Sequence, residues 1–133
     1  MRGASAIEEV LKDAAGNKAT PLIIWEPILR TDFSAPGRTA LGRISDPRAA
    51  QYWDPNHVFA RELRDKLVAD SQHPQPSCCD TETTPWDLIL VYPPGARWET
   101  ALPRATYADG PVYRLKAQIR KAIAEASSTA PKH

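Results

Sequence analysis

The run Pro21-Leu22-Ile23-Ile24-Trp25-Glu26-Pro27-Ile28-Leu29 is the most hydrophobic continuous stretch of the chain. A short apolar run with β-branched residues, flanked by proline and polar residues, predicts a buried strand. Pro27 has no N–H to give to a ladder, so the strand is expected to stop near Glu26. Ile28 to Pro36 then becomes a loop leaving the end of a central strand, where α/β folds usually keep their sites.

The remaining elements follow from local signals. Ser5 and Glu8 have the spacing of a capping box, which predicts a helix from about Ser5 with Ile7, Val10, Leu11 and Ala14 on one face and Gly16 ending it in the left-handed conformation. Thr39 to Ile44 reads as a short helix with Leu41 and Ile44 inward, and Arg48 to Trp53 as a second strand. Asp54-Pro55 is a helix start, Asp54 capping and Pro55 in the first turn. Val58, Phe59, Leu63 and Leu67 form the apolar stripe of that helix, with Arg61–Asp65 and Glu62–Lys66 paired four apart. Asp70 to Thr84 is a long polar connection, of the kind that is usually functional or mobile in a compact domain. Leu88 to Tyr92 is a second strong strand. Pro93-Pro94-Gly95-Ala96 turns into Arg97-Trp98-Glu99-Thr100, read as its antiparallel hairpin partner. Ala101 to Gly110 reads as loop, and Pro111 opens a last helix with Val112, Leu115, Ile119 and Ile123 inward.

Length and composition bound the function classes. The 133 residues are expected to form one domain with a single core, with residues 1–4 and 127–133 frayed. Lys and Arg number 17 against 16 Asp and Glu, so no strong field favours nucleic acid or an anionic membrane. No apolar run is long enough to span a bilayer, and the opening Met-Arg-Gly-Ala-Ser lacks the apolar core of a signal peptide. A cytoplasmic location is the expectation for the chain as given, with a removed leader as the alternative. The thirteen prolines are dispersed beside hydrophobic runs, which favours many short turns. Two adjacent cysteines do not make a disulfide framework.

Two strands bridged by a helix, then a hairpin, then a helix is an order that resembles the thioredoxin-like superfamily. Three features carry the resemblance: a helix and short turn before the apolar strand Leu22–Trp25; Thr84-Pro85 just before the strand Leu88–Tyr92, similar to the family's cis-proline position; and the Gly95 turn leading to a C-terminal amphipathic helix. The resemblance implies a single α/β domain with a mixed four-stranded sheet flanked by helices, its first strand pair parallel. The family's redox members carry Cys-x-x-Cys just after the first central strand. Here Trp25 to Asp32 fill that place without a cysteine, so a divergent member without dithiol oxidoreductase activity is implied, acting as a binding or accessory module.

The resemblance also groups a candidate site loop: Trp25, Glu26, Thr31 and Asp32 facing Thr84, Pro85 and Trp86. A carboxylate beside Trp25 in a half-buried crevice is a candidate acid or base. The plainer readings are that Asp32 caps a turn and that Glu26 pairs with an arginine. Cys78-Cys79 is the other candidate, for redox sensing or for soft-metal handling with His73 nearby in sequence. Cα atoms across a trans peptide are about 3.8 Å apart, below the usual disulfide range, so a bond between neighbours suits a switch better than a staple. The plainer reading is two small side chains tucked under a loop. The four tryptophans are either core or an aromatic binding surface. His57, in the first turn of the Asp54 helix, has no matching nucleophile and acid. No cofactor is expected. The protein partner or small ligand is open, and a homodimer through the Trp98 hairpin edge is a third possibility.

Overall fold

The computed structural model describes residues 2–79 and 84–129. Met1, Asp80 to Thr83 and Ala130 to His133 lie outside the described residues, and with them part of the long polar connection and the C-terminal histidine. The elements in chain order are α1 (Arg2–Asp13), β1 (Leu22–Trp25), α2 (Arg38–Leu41), β2 (Ala50–Trp53), α3 (Val58–Ala69), β3 (Ile89–Val91), β4 (Tyr107–Asp109), a 3₁₀ turn (Val112–Arg114) and α4 (Lys116–Ser128).

The class is α/β, but the expected four-stranded sheet is not formed. β1 pairs with β2 in parallel, Leu22 opposite Ala50 through Trp25 opposite Trp53. β3 pairs with β4 antiparallel, Ile89 opposite Asp109 through Val91 opposite Tyr107. The two pairs remain separate two-stranded sheets. Consequently β1 is not a central strand, and Leu22 is 65% exposed. A strand of four residues with one neighbour leaves its other edge unpaired; Pro21 and Pro27 on either side keep that edge short.

The core explains how two small sheets share one body. Ala6, Ile7, Val10 and Leu11 of α1 pack with Ile44, Val112 and Ile119 of α4, and Ile23, Trp25, Ile89 and Tyr107 close on the cluster from both sheets. Val10 and Ile119 are its fully buried pair. The helical spacing of α1 therefore puts the expected face inward. Its capping box is not made, because the helix already starts at Arg2, including residues expected to fray. Glu8 instead reaches across to accept from Ser45 N–H (2.9 Å) and Ser45 Oγ–H (2.5 Å). Gly16 does not take a left-handed φ.

Asp54 does cap α3: its Oδ1 accepts from Val58 N–H at 2.8 Å and its Oδ2 from Ala60 N–H at 3.2 Å. The helix begins three residues later than Pro55 suggested, so the buried stripe is Ala60, Leu63 and Leu67, while Val58 and Phe59 face outward. Glu62–Lys66 pairs as expected (3.6 Å), but Asp65 pairs with Arg64 (3.1 Å) rather than with Arg61.

The predicted turn at Pro93–Ala96 forms: Ala96 N–H donates to Pro93 O and Gly95 has φ +82°. Arg97–Thr100 is not its strand. Trp98 stacks edge-on against Phe59 of α3 (5.4 Å between centroids), and the strand that pairs with β3 comes from Tyr107–Asp109, inside the segment read as loop. Arg97–Thr100 therefore forms no hairpin edge. The cis peptide among the described residues is Gly110–Pro111, not Thr84–Pro85. Pro111 leads into the 3₁₀ turn, and α4 runs through Ser127 and Ser128, which were expected to fray. Two cations of its outer face are tied to α1, Lys116 to Glu9 (2.5 Å) and Arg120 to Asp13 (2.6 Å).

Candidate functional site

The residues singled out in the sequence fall into two places. Trp25, Glu26, Thr31 and Asp32 lie at the C-terminal end of β1. Pro85 and Trp86 lie with Cys78 and Cys79. No hydrogen bond, ion pair or ring contact between described residues joins Trp25–Asp32 to Pro85–Trp86.

At the first place, the parallel pair ends on Trp25 and Trp53, so Glu26 and Asp54 leave the sheet side by side. Trp25 Nε1–H donates to Gln51 Oε1 (2.9 Å), and Gln51 Nε2 donates to the carbonyls of Leu41 and Ile44 (3.2 Å each). Glu26 Oε2 lies 2.8 Å from His57 Nδ1. His57 stands in the left-handed region (φ 53°, ψ 32°), directly before the first turn of α3, and this turns its ring back onto Glu26. Burial raises the Glu26 pKa; the hydrogen bond and charge of His57 lower it, and the charge of Asp54 raises it, with a net upward shift. Asp32 caps its own turn, Oδ2 accepting from Ile28 N–H (3.0 Å) and Leu29 N–H (2.8 Å). Thr31 is exposed. This corner holds a proton between a carboxylate and an imidazole, but no Ser, Thr or Cys side chain among the described residues bonds to either group, so no nucleophile is assembled.

At the second place, Cys78 and Cys79 are joined in a vicinal disulfide (S–S 2.10 Å, Cα–Cα 3.8 Å), and no free cysteine remains. Both residues are half-buried, and Cys79 has φ +68°. Three bonds to one oxygen position the pair: Asp109 Oδ1 accepts from Ser77 N–H (2.9 Å), Ser77 Oγ–H (2.6 Å) and Gly110 N–H (2.9 Å). Burial alone raises the Asp109 pKa, but these bonds outweigh it and hold the carboxyl below its ordinary value. A Cβ on Gly110 would lie 3.4 Å from Cys78 Sγ, so the ring sits directly over a glycine backbone. Trp86 N–H donates to Cys79 O (2.8 Å), and the neighbouring Pro85 is buried.

His73, close in sequence, is not a ligand for this pair. It is 2% exposed, and its Nδ1 lies 2.8 Å from Pro74 O, an acceptor only, so Nδ1 carries the proton. Nε2 accepts from Ala105 N–H (3.1 Å), leaving no lone pair for a metal. Among the described residues no group of three or more His, Cys, Asp or Glu side chains is placed to hold a metal ion.

Sequence reasoning missed Asp109, Gly110 and the pairing of His57. Asp-Gly is a turn signal and was legible; that the turn would carry the cysteine loop was not, since Ser77 and Asp109 are 32 residues apart. No protein-family model, curated protein or solved structure matches the chain. No helix among the described residues is long and apolar enough to cross a membrane.

Proposed function

We propose that this chain is a thiol-based redox sensor: a binding or accessory module, without dithiol oxidoreductase turnover, whose state is set by Cys78 and Cys79. The observation that carries the reading is the vicinal disulfide seated on Gly110 with the Cys79 carbonyl bonded to Trp86. Such a bond closes a loop with no residue between its ends, so it removes almost no chain entropy and is no structural staple. It does hold a non-glycine residue at positive φ, a conformation that costs about 1–3 kcal/mol and is found where surrounding structure imposes it. Opening the ring releases Cys79 from that conformation and with it the carbonyl that receives Trp86 N–H.

Two thiols give up two protons and two electrons in forming the bond. With a low-molecular-weight disulfide as oxidant, one cysteine thiolate attacks a sulfur and expels one thiol. The second cysteine then displaces the other thiol from the mixed disulfide. One small disulfide is reduced to two thiols for each ring closed. The expected behaviour is stoichiometric.

The test combines alkylation with tryptophan emission. Intact, unreduced protein is expected to take up no alkylating reagent; after reduction it takes up two equivalents, and emission changes. The change is expected to vanish in Trp86→Phe and in Cys79→Ser. An emission spectrum indifferent to complete reduction would overturn the sensor reading. Sustained catalysis of insulin reduction would overturn the claim that the pair does not turn over.

A further inference from the structure

A groove of about 340 Å³ lies between α1, the residues after α2, the 3₁₀ turn and α4. Its walls carry Arg2, Ser5, Glu9, Arg43, Tyr113 and Lys116. The volume is at the lower end of the range for small-molecule sites. Several cations elsewhere are matched to acids, as in Arg48–Asp46, Lys66–Glu62 and Arg120–Asp13. Among the described residues lining the groove the one acid, Glu9, is taken by Lys116. Arg2 and Arg43 form no ion pair among the described residues: Arg43 Nη1 donates to the Ser5 hydroxyl at 3.3 Å, and Arg2 lies over the Tyr113 ring at 5.7 Å. Two guanidinium groups thus stand unneutralised in one concavity of a chain with nearly balanced charge.

We propose that this groove binds a small phosphate-bearing molecule through its dianionic phosphate group. Guanidinium presents paired N–H donors that match phosphate oxygens bidentately, which favours phosphate over a halide or a monovalent acid. Ser5 Oγ accepts from Arg43, so its own O–H is left to donate to a ligand oxygen. Tyr113 has Arg2 over its ring and Arg114 over it at 5.4 Å, so the ring is already engaged by two cations, which disfavours stacking of a nucleobase. The ligand class is therefore inorganic phosphate or a compact phosphate monoester. The site is independent of the cysteine pair, and its test runs on the oxidised full-length chain.

Inorganic phosphate and phenyl phosphate are titrated by calorimetry at constant ionic strength, with sodium chloride and methyl sulfate as controls. One saturable site is expected for at least one phosphate. Preference for the monoester assigns an organic ligand, and equal binding or a preference for inorganic phosphate assigns the free ion. Arg43→Gln is expected to weaken binding about ten-fold, the scale of one charge-assisted bond lost. Glu9→Gln is expected to strengthen it several-fold by removing that negative charge, an effect that a purely structural role would not produce. Arg43 and Glu9 are exposed, so far-UV dichroism should be unchanged in both variants. Heat matched by chloride, or affinity indifferent to Arg43→Gln, overturns the proposal.

Discussion

His73 and Tyr107 bracket what one buried polar atom is worth in this fold. Both His73 nitrogens are engaged, one with Pro74 O and the other with Ala105 N–H. His73→Phe strands the buried Ala105 amide and should cost about 1–3 kcal/mol in urea unfolding. Tyr107 is the opposite case. Burial raises its pKa, and the charge of the Asp109 carboxylate and a hydrogen bond toward it add to the rise, yet among the described residues its buried Oη meets no partner at full hydrogen-bond geometry. Tyr107→Phe removes a buried, poorly satisfied polar atom and is expected to change stability by no more than about 1 kcal/mol in the same measurement. Glu26 supplies a pH signature. Its folded pKa is raised above the ordinary 4.5, chiefly by burial, so the folded state holds the proton more tightly than the unfolded chain does. Its contribution to stability is fully present below 4.5 and is lost as pH rises through the raised folded value. Glu26→Gln should remove that loss, so the stability difference between variant and wild type should grow across this window in urea midpoints taken at successive pH values. Glu8 and Asp46 act oppositely. Hydrogen bonds from Ser45 lower the Glu8 pKa, and the Arg48 guanidinium bonded to Asp46 holds its carboxyl down at about 2. Their contributions are present above the ordinary carboxylate range and are lost as pH falls through the lowered values.

Directly after β4, a single glycine links the cysteine loop to the sheet. A methyl group on Gly110 would lie 2.9 Å from Leu88 Cδ2 and 3.0 Å from Asp87 O, and the second of these is backbone. Gly110→Ala is therefore expected to cost about 1–3 kcal/mol, measured by chemical unfolding, and to disturb the Ser77–Asp109 bonds that seat the cysteines. The elements themselves were unevenly legible. α1 and α4 follow from apolar residues repeating at helical spacing, which is a local property. The parallel β1–β2 pair follows from the crossover through α2. The partner of β3 was misread because Trp98 carries a strand-like signature, yet its ring gains more by packing on Phe59. Tyr107–Asp109, with only three residues, has no periodicity to read.

At the scale of the whole molecule, stability rests on the α1–α4 core and not on the disulfide. Ile119 is fully buried against α1, and Ile119→Ala should cost about 2–5 kcal/mol. Reduction of Cys78–Cys79 should shift the urea midpoint little beside that, because the ring constrains no loop in the unfolded chain. The sequence by itself determined the α/β class, the two amphipathic core helices and the parallel first pair. It also marked Glu26, Asp32 and the vicinal cysteines. Those are properties of neighbours in the chain: periodicity, capping, turn chemistry and adjacency. Only the tertiary structure decided that the sheets stay separate and that Glu26 meets His57. It also decided that Asp109 and Gly110 carry the cysteine ring and that two arginines share a groove without an acid of their own. Each of these joins residues distant in sequence, and such a pairing depends on which surfaces the core leaves facing one another.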